Sequence, residues 1–237
     1  MSESLVIAGE PLDLLAFGAH PDDVEIGMAG TIAKHAAAGR RVGICDLTLA
    51  EMSSNGNPEL RQQEAAAASK ALGLSARSNL RLPDRGLTGV EAQIDAIVRE
   101  IRLRRPRIVF APYWQDRHPD HVRCSQLVQE AVFNAKLRRY MPELPAVNVE
   151  QLFFYFINDM DEADVMIDVT DVYDRKLASL KAYRSQFESA GADMVTTPLN
   201  QGYVERVAAR DSLLGQKRGI PYAEGFVSKV PLLVETL

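Results

Sequence analysis

Cysteine is almost missing from this chain. Only Cys45 and Cys124 occur, too few for the disulfide framework of a small secreted domain and without the paired spacing of a thiolate metal site. Both read as small buried hydrophobes. No apolar run approaches the eighteen or more residues of a membrane-crossing helix. The first ten residues carry no basic flank and do not read as a secretory signal, so the expected location is cytoplasmic. An excess of one charge is missing too. The 27 basic and 32 acidic residues are interspersed, which gives no pull toward nucleic acid or an anionic membrane. The densest basic stretch, 99–107, has no interleaved aromatics and reads as a solvated helix C-terminus, where cations suit the dipole. There is no Gly/Ser linker, no repeat at a solenoid period, and no low-complexity tract beyond short alanine runs.

What is present is ample apolar content, 46% over 237 residues, enough for one large domain with a full core. Apolar strand-like runs alternate with helical periodicity. Strands are expected at 12–18, 41–48, 79–82 and 107–112. Helices are expected at about 24–38, 58–72, 91–104 and 120–139. This succession predicts a doubly wound, Rossmann-like α/β fold with a mostly parallel sheet and right-handed crossovers. After Met141-Pro142 the pattern changes. Strands at 151–157 and 165–169 are followed by helices at 172–188 and 200–214 and a final strand from Ala223 to Val234. The expected organisation is a single domain, with a core over 12–140 and a C-terminal α/β elaboration over 141–237.

The chemistry concentrates in two turns. Ala19-His20-Pro21-Asp22-Asp23 follows the first strand, and His118-Pro119-Asp120-His121 follows the fourth. In an open α/β sheet, ligands bind beyond the carboxyl ends of the strands, where both turns fall. A helix cap needs one Asp, not His-x-x-Asp at one turn and His-x-x-His at the other. Imidazole nitrogen and carboxylate oxygen bind zinc, and a catalytic zinc keeps three protein ligands and one open position. The reading is zinc-assisted hydrolysis, with one Zn2+ per chain on His20, Asp23 and His121; Fe2+ suits the same donors. Asp22 is the spare carboxylate, placed to act as base. His118 would face the reacting carbonyl and stabilise the developing oxyanion, with Asp120 orienting its ring and keeping it charged. Amide, ester and phosphoester cleavage all remain open on spacing alone.

Two other readings compete. A dinucleotide-binding module would suit the sheet, but the first turn lacks Gly-x-Gly-x-x-Gly and its carboxylates would repel a pyrophosphate. A purely structural zinc normally has four protein ligands. Two further stretches fall at the same sheet edge: the polar loop 51–58 and the turn Pro83-Asp84-Arg85-Gly86. Arg61 stands in the first turn of its helix, where a cation is electrostatically unfavourable. Simple solvent exposure or a specific task would each explain it.

The two His-Pro-Asp turns, with Glu51 to Arg61 and Glu64, resemble the LmbE-like (PIG-L) superfamily of zinc-dependent N-acetylglucosamine deacetylases. The stretches 17–33, 82–87, 116–124 and 222–226 are similar to its bacillithiol-biosynthesis branch, which deacetylates N-acetylglucosaminyl-malate. The resemblance implies the metal, base and oxyanion roles given above, and substrate-binding roles for Arg61 and for Tyr203 in the late helix. It also implies a small glycoconjugate as partner and a trimer or hexamer. One departure stands out: the family's second loop often reads Gly-Glu, where this chain has Ala50-Glu51.

Overall fold

The computed structural model describes residues 9–188 and 194–232. The expected loose extension before residue 9, part of the 190–198 loop and positions 233–234 of the expected last strand fall outside them; within them that strand stops at Val227, and 228–232 are not strand. The strands are β1 (Leu14–Gly18), β2 (Val42–Thr48), β3 (Ala76–Leu82), β4 (Ile108–Pro112), β5 (Gln151–Tyr155), β6 (Val165–Asp168) and β7 (Ala223–Val227). The helices are α1 (Asp23–Ala37), α2 (Pro58–Leu72), α3 (Glu91–Arg104), α4 (Pro119–Ala135), α5 (Tyr173–Lys181), α6 (Arg184–Phe187) and α7 (Tyr203–Gln216).

All seven strands join one sheet in the order β3-β2-β1-β4-β5-β7-β6. β1 pairs in parallel with β2 on one side and β4 on the other. β2–β3 and β4–β5 are also parallel, and β7 runs antiparallel to both β5 and β6. The expected doubly wound, mostly parallel sheet is therefore present. Successive residues of β1 point to opposite faces. Leu15 and Phe17 enter a core with α3 and α4, while Leu14 and Ala16 enter one with α1, α5 and α7. The chain leaves β1 toward β2 but reaches β4 on the other flank. The turns after β1 and β4 thus splay apart at the switch point, where open α/β sheets form their crevice.

α1 is buried along most of its length and packs unusually close. A Cβ at Gly27 would lie 2.1 Å from the Tyr155 ring, and one at Gly30 would lie 2.7 Å from Val169. Only glycine permits both approaches. The helix is kinked at Met28 (φ −152°, ψ 21°).

Several boundaries differ from the sequence expectation. β3 begins at Ala76, not Asn79, because polar Arg77 suits a strand whose outer edge is unpaired: its guanidinium reaches Asp46 and Glu25. α4 stops at Ala135. Arg102, expected within a solvated helix end, is fully buried and donates to the carbonyls of Ala135, Leu137, Met141 and Leu144. It gathers the orphan carbonyls of a helix terminus. The expected helix 172–188 breaks into α5 and α6 at Tyr183, whose buried hydroxyl donates to Glu25. α7 starts three residues late, after Gly202 at φ 70°.

Candidate active site

The first turn is built under strain. Asp22 has φ 122°, a region rarely visited by a residue with a side chain and costing on the order of 1–3 kcal/mol. Its surroundings hold it there. The His20 amide donates to Asp23 Oδ2 at 2.8 Å, and Arg61 donates to Pro21 O at 2.6 Å and Asp22 Oδ2 at 2.9 Å. Arg61 is buried, so solvent exposure does not explain its position; it clamps the turn and also reaches Ser53 Oγ. α2 can place it because Asn57 caps the helix and Pro58 opens it. The adjoining loop holds Ala50 at φ 54°, the left-handed region that glycine adopts without cost. That is the position where the family often has Gly.

In the second turn His118 is the N-cap of α4, and its Nδ1 accepts the Asp120 amide at 3.2 Å. A neutral ring with Nδ1 as acceptor carries its proton on Nε2. Burial and the neighbouring His121 and His20 push the His118 pKa down. This differs from the expected charged imidazole held by the Asp120 carboxylate. That carboxylate instead takes the Arg85 amide at 2.8 Å and guanidinium at 2.9 Å. Asp120 orients His118 through its backbone.

The two turns meet. His20 and His118 ring centres are 4.9 Å apart, and those of His118 and His121 are 4.6 Å apart. Asp23 lies between the other two rings, with Oδ2 3.4 Å from His20 Nδ1 and Oδ1 3.1 Å from His121 Nε2. The far nitrogen of each ring has its own carboxylate. His20 Nε2 is 3.1 Å from Asp84, and His121 Nδ1 is 3.0 Å from Asp116. This pattern fixes a ring so that its inner nitrogen is a free donor to a metal. His20 Nδ1, Asp23 and His121 Nε2 therefore fit the donor set of a hydrolytic cation. Among the described residues the groups whose ligand atoms all lie within 4.8 Å of one another are His20, His118 and His121, and His20, Asp84 and Asp120; the expected trio shares His20 with both but is not itself such a group. The Nε2 proton of His118 disfavours it as a ligand, and both carboxylates of the second group already accept backbone amides.

Burial pushes the Asp22 carboxyl up to about 7; Arg61 opposes the shift and Asp23 adds to it. Burial would lower His121, but Asp23 and Asp116 outweigh it and raise the ring to about 9. Burial would raise Asp116, yet His121, the His118 amide and Asn158 hold it at about 2.

His20, Asp22, Arg61, His118 and Tyr203 line one cavity of about 600 Å³, a size suited to a small ligand. Tyr203 is buried, and its hydroxyl donates to Asn158 Oδ1 at 3.1 Å. Seven of the eight candidate residues thus line this crevice; Asp120 does not, and meets it only through His118, whose Nδ1 takes its amide. Sequence reasoning assigned no role to Asp84, Asp116 or Asn158. The signals were faint: Asp84 sits in a turn at the same sheet edge, and Asp116 precedes His118 by two.

Residues 15–132 match the PIG-L family, described as GlcNAc-PI de-N-acetylase. A probable N-acetyl-alpha-D-glucosaminyl L-malate deacetylase 2 of Bacillus subtilis (strain 168) is 30% identical over 182 residues, covering 71% of this chain and 80% of that one. The diacetylchitobiose deacetylase of Thermococcus kodakarensis is 28% identical over 227 residues, covering 90% and 81%. The crystal structure of the conserved protein TT1542 from Thermus thermophilus superposes with a TM-score of 0.87 at 42% identity, covering 94% and 97%. The chain belongs to the PIG-L, LmbE-like family of N-deacetylases.

Proposed function

We propose that this protein hydrolyses the acetamide of an N-acetylglucosaminyl small molecule, with N-acetyl-alpha-D-glucosaminyl L-malate as the favoured substrate. Inositol, chitobiose and thiol conjugates are the alternatives. One observation carries the reading: two carboxylate-backed imidazoles and Asp23 converge beside a buried spare carboxylate, Asp22, at the wall of a ligand-sized cavity. His20, Asp23 and His121 would hold one divalent cation, Zn2+ by preference, with Fe2+ suited to the same donors. When bound, the cation supplies Lewis-acid polarisation of the carbonyl and lowers the pKa of water.

Asp22 takes the proton of the attacking water and passes it to the departing amine. Its strained backbone and the Arg61 clamp fix the direction of its carboxylate. His118 donates from Nε2 to the carbonyl oxygen as negative charge develops there. The Asp120 amide on Nδ1 holds the ring in that tautomer. Arg61 and Tyr203 shape the substrate side of the cavity.

The test is acetate release by the zinc-loaded protein from N-acetylglucosaminyl-malate and from free N-acetylglucosamine. Turnover of the malate conjugate is expected, and no release from any N-acetylglucosaminyl compound would refute the reading. His118→Ala separates the roles. Full zinc content with most turnover lost supports the donor role, whereas loss of the metal would make His118 a ligand.

A further inference from the structure

Two loops far apart in the chain wall the active-site cavity. Ser53 and Ser54, after β2, line one side, and Thr197, Pro198 and Leu199, before α7, line another. Asn55 joins these loops. Its Nδ2 donates to Val195 O at 2.8 Å, and its Oδ1 accepts the Val195 amide at 2.8 Å. Two opposed bonds to one residue are what a neighbouring strand makes across an antiparallel ladder. Here a side chain 140 positions away supplies them. The Val195 N–H can act solely as a donor, which fixes the end of the Asn55 amide that is oxygen. The Asn55 carbonyl also accepts Gln186 Nε2 at 3.0 Å. The Val195 side of the junction is itself a closed turn: Asn200 Nδ2 donates to Val195 O at 2.9 Å, and Asn200 Oδ1 accepts the Thr197 amide at 3.0 Å. Asn55 is buried, and a buried primary amide is costly unless its groups are paired.

The loop bears on the chemistry through Ser53. Ser53 Oγ accepts Arg61 Nη2 at 3.0 Å, while Nη1 of the same guanidinium holds Pro21 O and Asp22 Oδ2. One arm of the Arg61 fork therefore grips the strained Asp22 turn, and the other rests on the 51–57 loop. That loop is tied near its start by the Met52 amide on Asp84 and at its end by Asn57, the cap of α2. Asn55 pins it between those ties, two residues from Ser53.

We infer that Asn55 is a positioning residue for the deacetylation. It fixes the 51–57 loop to the 195–200 turn, so that Ser53 meets Arg61 and Arg61 keeps Asp22 on aim. The inference rests on the deacetylase reading, in which Asp22 moves the proton. Asn55 itself does not line the cavity, so it acts through Ser53 and Arg61 and not by touching substrate.

The experiment measures kcat and KM for N-acetylglucosaminyl-malate in wild type, Asn55→Leu, Ser53→Ala and the double variant. Leucine keeps the branched shape and drops both bonds. Asn55→Ala, which shrinks the side chain instead, checks that a loss does not come from the added methyl groups. Thermal melts set an assay temperature at which every variant is folded. Losing two hydrogen bonds predicts a fall in kcat of about tenfold in either Asn55 variant. Ser53→Ala should fall alike, with zinc content unchanged and KM within about threefold, the split expected when an interaction made in the transition state is lost. The double variant should fall no further than Asn55→Leu alone, because residues acting through one contact are not additive. Losses that multiply, to about a hundredfold in the double variant, overturn the inference. So does a wild-type kcat in both Asn55 variants with a lowered melt, which would make the side chain a loop fastener and nothing more. A loss confined to KM, or a loss of zinc, overturns it as well. Each of these defeats this inference alone, since wild type still releases acetate. No acetate from wild type on any N-acetylglucosaminyl compound defeats the deacetylase reading and this inference with it.

Discussion

Asp116→Asn tests the idea that a carboxylate behind His121 sets its metal-binding nitrogen. Asp116 collects four donors. Oδ1 accepts from His121 Nδ1 at 3.0 Å, the His118 amide at 2.8 Å and Asn158 Nδ2 at 2.9 Å, while Oδ2 accepts the Asn158 amide at 3.0 Å. An asparagine has one acceptor oxygen. With that oxygen toward His121, its NH2 faces the Asn158 amide and two donors oppose each other. With the group turned over, the clash falls on His121 itself. Either way the ring loses a charged partner, and the preference for a proton on Nδ1 weakens. Removing such an outer partner costs about 10–100-fold in metal affinity, or about 1.4–2.8 kcal/mol. The assay is zinc titration against a competing chelator, paired with thermal unfolding of the metal-stripped protein. The orphaned N–H adds about 1–3 kcal/mol of instability, roughly 2–4 °C per kcal/mol for a chain of this size. Zinc affinity within about twofold of wild type would refute the reasoning, whatever happens to the melt.

Asp22→Asn retains an acceptor for Arg61 but removes the proton acceptor; acetate release should fall about 10²–10⁴-fold with zinc content intact by elemental analysis. Lys176→Met strands two buried carboxylates, since Lys176 Nζ lies 2.7 Å from both Asp211 and Glu224 with no exposure. Breaking such a cluster costs about 3–5 kcal/mol, so the melting temperature should drop on the order of 6–20 °C, and an unchanged melt would show that the charges compensate otherwise. We also infer that 12–140 and 141–237 unfold together. Calorimetry should give one transition with equal calorimetric and van't Hoff enthalpies, and two resolved peaks would separate them.

The fold was readable where a local pattern controls it. Parallel strands buried on both faces are continuous apolar runs, and 14–18, 42–48 and 108–112 show them. The metal-type residues were readable because they cluster in sequence at the ends of two such strands. What escaped depends on partners far along the chain. Arg102 looks like any exposed helix cation until the 134–144 segment folds over it. Tyr183 carries helical periodicity, but its hydroxyl is drawn to Glu25, 158 positions away. Asp84 and Asp116 are single acids in polar loops, and their importance comes from the ring nitrogens they face. Arg61 was conspicuous as a misplaced charge, yet only the structure shows that its partner is the strained Asp22 turn.

The C-terminal segment bears on the candidate chemistry without supplying any of the three candidate metal ligands. The kink at Met28 takes the Gly30 and Thr31 amides out of α1's own ladder, and Glu224 of β7 accepts both, at 2.9 and 2.6 Å. On the other side of the kink, Arg210 of α7 takes the Ile26 carbonyl at 2.6 Å. Lys176 of α5 neutralises Glu224 at 2.7 Å. A kinked helix has at least two ways to repair its ladder, straightening or finding outside partners. Straightening α1 would push Gly27 and Gly30 off the close contacts with Tyr155 and Val169 that their missing Cβ atoms allow. The outside partners therefore fix the bend, and the bend fixes where the first turn of α1 points. Asp22 and Asp23 stand at that turn. We infer that the aim of the spare carboxylate toward the cavity depends on buried Lys176 and Glu224 and half-buried Arg210, all drawn from residues after 170.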